Sequence, residues 1–150
     1  MPPKNIVFED FNVGDVFESP STDPMTAEKI RAFAELTGDK NRLHIDEEYA
    51  KKTPFGQRIA HGLFGVSLAA GLMHDMGIVE ETVMAFRGLE WTFKNPALIG
   101  DTLSFRMEVK STKAVRTGGG LVVFASKISK QDGKTLQSGI WKLIIKGRDQ

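Results

Sequence analysis

The second half of the chain alternates apolar and polar residues in the manner of half-buried β-strands. From Leu103 to Lys110 every odd-numbered residue is apolar and every even-numbered residue is polar, which predicts a strand with one face in a core and the other in water. Leu89–Lys94 repeats this alternation. Apolar runs at 121–128 and 136–145 flank Asp132-Gly133, a dipeptide typical of a hairpin turn. These segments predict an antiparallel meander.

The first half of the chain has the spacing of helices instead. A helix is predicted to begin at the capping residue Thr26 and to end at Gly38, which is placed to adopt the left-handed conformation. A second, short helix starts at the cap Asp46 and stops before Pro54, because the residue before a proline avoids the helical region. The apolar face of the first helix consists of Ile30, Phe33, Ala34 and Thr37.

The third predicted helix is apolar on nearly every side. It extends from Gly62 through Met76 and contains no charged residue up to Met73. A helix without a polar face has to be covered by other structure, so we expect this one to be enclosed and to lie across the sheet. Together with a further strand near Asp15–Ser19, the pattern predicts a single α+β domain over residues 1–150.

Composition and charge exclude several classes of function. Lys and Arg number 20 against 19 Asp and Glu, and the basic residues form no stripe, so we expect no binding of nucleic acid or of a membrane surface. The absence of cysteine excludes disulfides, thiolate-bound metals and a thiol nucleophile, and it fits a cytoplasmic location. Residues 1–5 show no secretory signal, and the apolar stretch Gly62–Met73 is too short for a membrane span, which needs about 20 residues.

Few residues are candidates for acid–base chemistry. The three histidines are His44, His61 and His74, and in a chain without cysteine they are the side chains most able to titrate near neutral pH. Asp39 precedes His44 in a segment predicted to be a loop between helices. Their spacing does not put both side chains on one helical face. From spacing alone, Asp39 is better explained as a turn former or cap, and His44 as a structural or exposed histidine.

Two short motifs are not interpreted as ligand sites. His44-Ile45-Asp46 matches the start of a non-haem iron triad, but that triad needs a distant second histidine, and the other two histidines fall at or within the apolar helix. No metal site is predicted. Thr117–Gly120 does not lie between a strand and a helix, so we interpret it as a hairpin loop and not as a phosphate-binding loop.

His61-Gly62 stands where the apolar helix begins. The first turn of a helix presents unpaired N–H groups, and glycine allows a ligand to approach the backbone closely. Together these properties describe a site for a carbonyl oxygen. The simpler interpretation, which spacing alone favours, is that Gly62 permits tight packing and that His61 caps the helix. Trp91, Phe93 and Trp141 are interpreted as core of the sheet.

A nearly continuous motif block consists of Phe33–Asp46, Tyr49-Ala50 and Phe55–Gly62, and two later motifs are Phe93–Pro96 and Gly100-Asp101. Together they resemble the MaoC-like hydratases, which are the (R)-specific enoyl-CoA hydratases and dehydratases of the hot-dog fold. The resemblance extends over nearly the whole chain. It implies an antiparallel β-sheet wrapped around a long central helix, in agreement with the expected place of the apolar helix.

The resemblance also implies roles for particular residues. Asp39 and His44 correspond to the family's catalytic pair, and Gly62 corresponds to the backbone amide that binds the substrate carbonyl. Asn41 and Ser67 are expected to support them. The implied substrate is an acyl-CoA thioester, so coenzyme A is part of the substrate and no separate cofactor is expected. The family further implies a homodimer or a higher homo-oligomer with acyl-CoA at the subunit interface.

The chain departs from the family pattern at Arg42, where the family commonly has a proline that stiffens the loop before the histidine. A serine that some members carry on the central helix corresponds to Ser67 or to Ala70. The leading hypothesis is a lyase that adds water to trans-2-enoyl-CoA, giving (R)-3-hydroxyacyl-CoA, or catalyses the reverse dehydration. A hot-dog thioesterase and a non-catalytic acyl-CoA-binding module are the alternatives.

Overall fold

The computed structural model describes residues 3–150. Within them, a short 3-10 turn at Phe8–Asp10 precedes five strands and four α-helices. None of these helices is long and apolar enough to cross a membrane. The strands are β1 (Val16–Glu18), β2 (Val83–Phe93), β3 (Leu103–Ala114), β4 (Gly120–Lys130) and β5 (Thr135–Ile145), and the helices are α1 (Ala27–Thr37), α2 (Arg42–Ile45), α3 (Glu47–Lys51) and α4 (Gly62–Asp75).

All five strands belong to one antiparallel sheet in the order β1-β3-β4-β5-β2. The alternation at the start of β3 predicted its buried face correctly, because the odd-numbered residues from Leu103 to Val109 are at most 1% exposed. The predicted hairpin joins β4 to β5. Its Gly133 has a φ of +86°, a backbone conformation that glycine adopts without strain. The glycine-rich segment Thr117–Gly120 lies where β3 turns into β4, so both hairpin predictions are confirmed.

Helix α4 packs against the inner face of this sheet. Its buried residues are Gly65, Ala69, Leu72 and Met73, and the last three belong to one apolar cluster with side chains of the sheet. The opposite side of the helix is open, since Leu63 is 64% exposed. The prediction that other structure encloses the helix is therefore wrong for the single chain, because the sheet covers only one side of it.

The predicted helix ends in the first half are confirmed. Thr26 Oγ1 accepts a hydrogen bond from the Lys29 N–H at the start of α1, and Gly38 ends that helix with a φ of +82°. The carboxylate of Asp46 accepts a bond from the Tyr49 N–H and so caps α3. The sequence did not predict α2, which forms a single turn in the segment expected to be a loop.

Candidate active site

Asp39 and His44 are carried by the short segment that joins α1 to α3. The Oδ1 atom of Asp39 accepts a hydrogen bond from the Asn41 N–H at 3.4 Å. The side-chain oxygen of Asn41 in turn accepts a bond from the Leu43 N–H at 3.0 Å and caps α2. Local side-chain to backbone bonds of this kind favour a turn over a continuous helix. Asn41 thus shapes the turn that presents His44.

The fold brings Asp39, His44 and His61 together. One carboxylate oxygen of Asp39 and one ring nitrogen of each histidine all lie within 4.8 Å of one another. These side chains border a cavity of about 570 Å³, which is also lined by Gly62 and Phe93. A concave site with a few convergent polar groups is the usual form of a small-molecule site.

His44 is held so that one ring nitrogen is free. Its Nδ1 lies 2.8 Å from the carbonyl oxygen of Ile59, and because a carbonyl only accepts, Nδ1 carries the proton. The lone pair on Nε2 is then available to a water molecule or a substrate. Burial is the largest influence on the pKa of His44 and lowers it, and nearby His61 lowers it further, while the bond to Ile59 and the charge of Asp39 oppose the shift. The net lowering of the pKa favours the neutral ring.

Gly62 is the first residue of α4, as the sequence predicted. No acceptor for its N–H is found within residues 3–150, as expected for a donor in the first turn of a helix. A Cβ atom added to Gly62 would lie 2.7 Å from Cδ1 of Phe93. Glycine at this position therefore leaves room for the Phe93 ring at the cavity that Asp39 and His44 also line.

The same three side chains have the spacing of metal ligands, but their hydrogen bonds do not suit a metal ion. His44 Nδ1 and His61 Nε2 face the carbonyl oxygens of Ile59 and Asp39, so both carry protons. Of the two remaining ring nitrogens, His61 Nδ1 is fully buried. A bound ion would have to break one of these hydrogen bonds or enter the packed side of the His61 ring.

Ser67, expected to support the catalytic pair, lies elsewhere. Its hydroxyl donates to the Leu63 carbonyl oxygen at 3.0 Å within α4, and its side chain lines a separate groove with Phe33 and Leu36. It makes no hydrogen bond to His44 in the described chain. The expected support is absent because Ser67 faces away from the cavity.

Arg42 occupies the first position of α2, where the family commonly has proline. Its Nε and Nη2 donate to Asp46 Oδ2 at 3.1 and 3.0 Å, and its guanidinium lies 4.6 Å from the centre of the Tyr49 ring. A bond from the Tyr49 N–H and the Arg42 side chain lower the pKa of Asp46. These contacts of Arg42 connect α2 to α3. They restrain the turn through side-chain interactions, whereas a proline would restrain it through its ring.

Sequence reasoning missed Gln137, a buried residue beside the cavity. Its Nε2 donates to the Gly62 carbonyl oxygen at 3.1 Å, and its Oε1 accepts a bond from Trp91 Nε1 at 2.8 Å. The sequence does contain an indication of this role. Gln137 lies at an odd-numbered position of β5, on the same face as Trp141, and a buried glutamine needs hydrogen-bond partners.

Phe93 was wrongly interpreted as core. It is 53% exposed, whereas Trp141 is fully buried. The reason is its place at the end of an edge strand, where the ring lies over Gly62 and lines the cavity.

Comparison with known proteins shows which family this chain resembles in sequence. A family model described as "MaoC like domain" matches residues 10–132. The chain is 34% identical over 106 residues to 3-hydroxybutyryl-CoA dehydratase from Methylorubrum extorquens, a match that covers 69% of this chain and 64% of that protein. It is 30% identical over 113 residues to (R)-specific enoyl-CoA hydratase from Aeromonas caviae, which covers 75% of this chain and 81% of that protein. The chain thus spans less than two thirds of the Methylorubrum relative.

The fold has counterparts among solved structures. The monoamine oxidase regulatory protein from Archaeoglobus fulgidus superposes with a TM-score of 0.87 at 32% identity, over 97% of this chain and 98% of that one. This agreement confirms the predicted hot-dog fold, in which the antiparallel sheet packs along one side of the central helix.

Proposed function

The chain belongs to the MaoC-like domain family, and from that premise we propose that it is a cytoplasmic lyase that hydrates trans-2-enoyl-CoA to (R)-3-hydroxyacyl-CoA, or catalyses the reverse dehydration. The observation that carries the proposal is the meeting of Asp39, His44 and the free N–H of Gly62 at one cavity. The (R) configuration and the coenzyme A carrier are supported by the names of the hydratase and dehydratase relatives.

The pair of Asp39 and His44 supplies the proton transfers. The carboxylate of Asp39 and Nε2 of His44 are two acceptors that can hold one water molecule between them. As the water oxygen bonds to Cβ of the enoyl thioester, a water proton passes to the pair, and the pair delivers a proton to Cα. Positioned acid–base groups typically accelerate such steps by about 10²–10⁴-fold.

Gly62 stabilises the charge that develops on the thioester oxygen. When water adds at Cβ, electron density moves to this oxygen, and a backbone N–H at a helix N-terminus is a fixed donor for it. One such donor contributes roughly 3–4 kcal/mol in other enzymes. The apolar ring of Phe93 lies over Gly62, and we expect it to limit the access of water to the oxyanion when substrate is bound.

The direct test uses a panel of enoyl-CoA thioesters that starts with crotonyl-CoA. Loss of the conjugated enone absorbance with formation of the (R)-3-hydroxy product is expected. Release of free thiol would favour the thioesterase alternative. Saturable binding of every acyl-CoA without any reaction would favour the non-catalytic binding module.

A homodimer is part of the proposal. β2 is a long edge strand of the sheet, and an unpaired apolar edge invites association. Four large apolar side chains of this strand are each more than 40% exposed, namely Met84, Phe86, Leu89 and Phe93. We expect sedimentation at micromolar concentration to give at least twice the mass of one chain.

Two surface variants test where the subunits meet. Leu89→Lys should weaken the dimer, because it places a charge at the β2 edge. Leu36→Lys is the matched control, since Leu36 is 85% exposed on α1 and lies outside that edge. A monomeric wild-type protein, or equal effects of both substitutions, would contradict pairing through β2.

The pH dependence follows from the lowered pKa of His44. We expect kcat/KM to hold its plateau as the pH falls through 6.5, the ordinary value for histidine, because the neutral ring is the working form and burial keeps it neutral. Asp39→Asn should move the titration midpoint of the His44 ring to still lower pH, because the charge of Asp39 raises this pKa. Ring NMR signals measure that midpoint, and a wild-type midpoint above 6.5 would contradict the assignment.

A further inference from the structure

His61 is a buried polar side chain that the proposed chemistry leaves unused. It is 2% exposed and is the N-cap residue of α4, yet its side chain makes no capping bond. Within residues 3–150, its backbone carbonyl accepts bonds from the N–H groups of Phe64 and Gly65. His61 therefore occupies the capping position that the sequence suggested, but its side chain does not cap the helix. The ring points instead towards the turn around Asp39 and Asn41, called the Asp39 turn below.

One ring nitrogen of His61 anchors the Asp39 turn. His61 Nε2 donates to the carbonyl oxygen of Asp39 at 2.8 Å. The other hydrogen bonds of Asp39 within residues 3–150 are local: its N–H donates to Thr37 Oγ1, and its Oδ1 accepts from the Asn41 N–H. His61 thus supplies the long-range hydrogen bond that connects the Asp39 turn to the first turn of α4.

The same ring supports His44. The two imidazole rings are stacked, with centroids 3.8 Å apart and planes inclined by 27°. Phe33 also packs against His61, at 4.8 Å between ring centroids. Since His44 is fixed by its bond to Ile59 as well, stacking on His61 restricts rotation of the His44 ring.

The second nitrogen of His61 argues against a purely structural role. Nδ1 is buried and has no hydrogen-bond partner within the described residues. An unsatisfied buried polar atom costs about 1–3 kcal/mol, and a phenylalanine ring would fill similar space without that cost. The donating Nε2–H is what distinguishes histidine from phenylalanine at this position.

We propose that His61 is a positioning residue, which holds the Asp39 turn through its Nε2–H and the His44 ring by stacking, so that both face the same water molecule. This inference rests on the proposed hydratase function. It goes beyond the two residues assigned to proton transfer, because His61 acts through them and does not itself touch the substrate.

Two substitutions separate the hydrogen bond from the packing. His61→Phe keeps an aromatic ring and removes the N–H, and we expect kcat to fall about ten- to a hundredfold from misplacement of the pair, with KM within about twofold. His61→Gln places an amide N–H near the site of Nε2, so it should recover much of kcat. Normal kcat per folded molecule in both variants, or equal loss in both, would overturn the assignment to this hydrogen bond.

His74→Phe is the matched control, because His74 is exposed at the other end of α4 and its substitution should leave kcat unchanged. Long-range ¹H–¹⁵N spectra give a readout that needs no activity. With three histidines in the chain, the variants assign the ring signals. The Nε2–H tautomer at His61 supports the inference, and the Nδ1–H tautomer overturns it. If no enoyl-CoA reacts, the proposed function fails, while the tautomer still decides whether the His61–Asp39 bond exists.

Discussion

Replacement of Asp39 by Asn, or of His44 by Ala, is expected to lower kcat at least about a hundredfold while the chain stays folded. Asp39→Asn keeps an oxygen that can accept the Asn41 N–H, so the turn survives and only the ionisable carboxylate is lost. His44→Ala removes the Nε2 lone pair from the cavity, together with the ring. The measurements are kcat with the best enoyl-CoA of the panel and the melting temperature of each variant.

A second variant of His44 distinguishes the loss of the Nε2 acceptor from a general loss of packing. His44→Asn can keep a donor near the Ile59 carbonyl, where Nδ1 donates at 2.8 Å, but it lacks the acceptor at Nε2. We expect it to be as inactive as His44→Ala. Asp23→Asn and His74→Ala are matched controls at exposed positions and should retain wild-type turnover. Near-normal turnover in folded Asp39→Asn or His44→Asn would contradict the assignment of the pair.

The double variant tests whether the two residues act as one unit. If Asp39 and His44 hold the same water molecule, loss of either disables the step. The loss in kcat for Asp39→Asn combined with His44→Ala should then be close to that of one single variant. If the loss in kcat of the double variant instead equals the product of the two single losses, the two residues contribute to separate steps.

Regular periodicity made much of the fold predictable. The alternation from Leu103 to Val109 fixes which face of β3 is buried, because successive side chains of a strand point to opposite faces. The end of α1 was equally readable, since Gly38 supplies the left-handed conformation that a helix end favours. The apolar character of α4 predicted its place against the sheet, and family resemblance supplied the rest of the hot-dog arrangement.

Short elements and contacts between distant segments were not predictable from periodicity. The single turn of α2 is too short to show a helical period. The hydrogen bond between His61 and Asp39 joins residues 22 positions apart, and no local rule relates the first turn of α4 to the turn after α1. Resemblance therefore proposed Asp39 and His44 as site residues, whereas the contact of the His61 side chain with the Asp39 turn was not predicted.

Position within the sheet explains the errors in burial. Trp141 is buried because β5 lies between β4 and β2. Phe93 has the same aromatic character, but it ends an edge strand and stays half exposed. Alternation identifies the two faces of a strand and does not reveal whether the strand lies at the edge. Likewise, Leu63 is exposed because it lies on the side of α4 that the sheet does not cover. The hydrophobicity of the helix alone does not show which side is covered.

Gly62→Ala is expected to lower kcat/KM at least about a hundredfold, the effect of losing one oxyanion donor, with a small change in melting temperature. The added Cβ would lie 2.7 Å from Cδ1 of Phe93, so the ring must move, and we expect the displaced ring and the new methyl group to hinder the approach of the thioester oxygen to the N–H. Phe93 is half exposed and its ring can swing aside. Alanine also favours the helix by up to about 1 kcal/mol, which offsets the cost of moving that ring.

Two glycines of the same helix provide matched controls for this result. A Cβ at Gly71 meets nothing within 4 Å, so Gly71→Ala should stabilise the fold by about 0.5–1 kcal/mol and leave activity unchanged. A Cβ at Gly65 would lie 2.5 Å from Nε2 of the buried Gln137, so Gly65→Ala should lower the melting temperature. If Gly62→Ala behaves like Gly65→Ala in stability, with near-normal activity per folded molecule, Gly62 serves close packing only. Preserved stability with lost turnover supports the carbonyl site, because a role in close packing alone predicts that stability falls before turnover does.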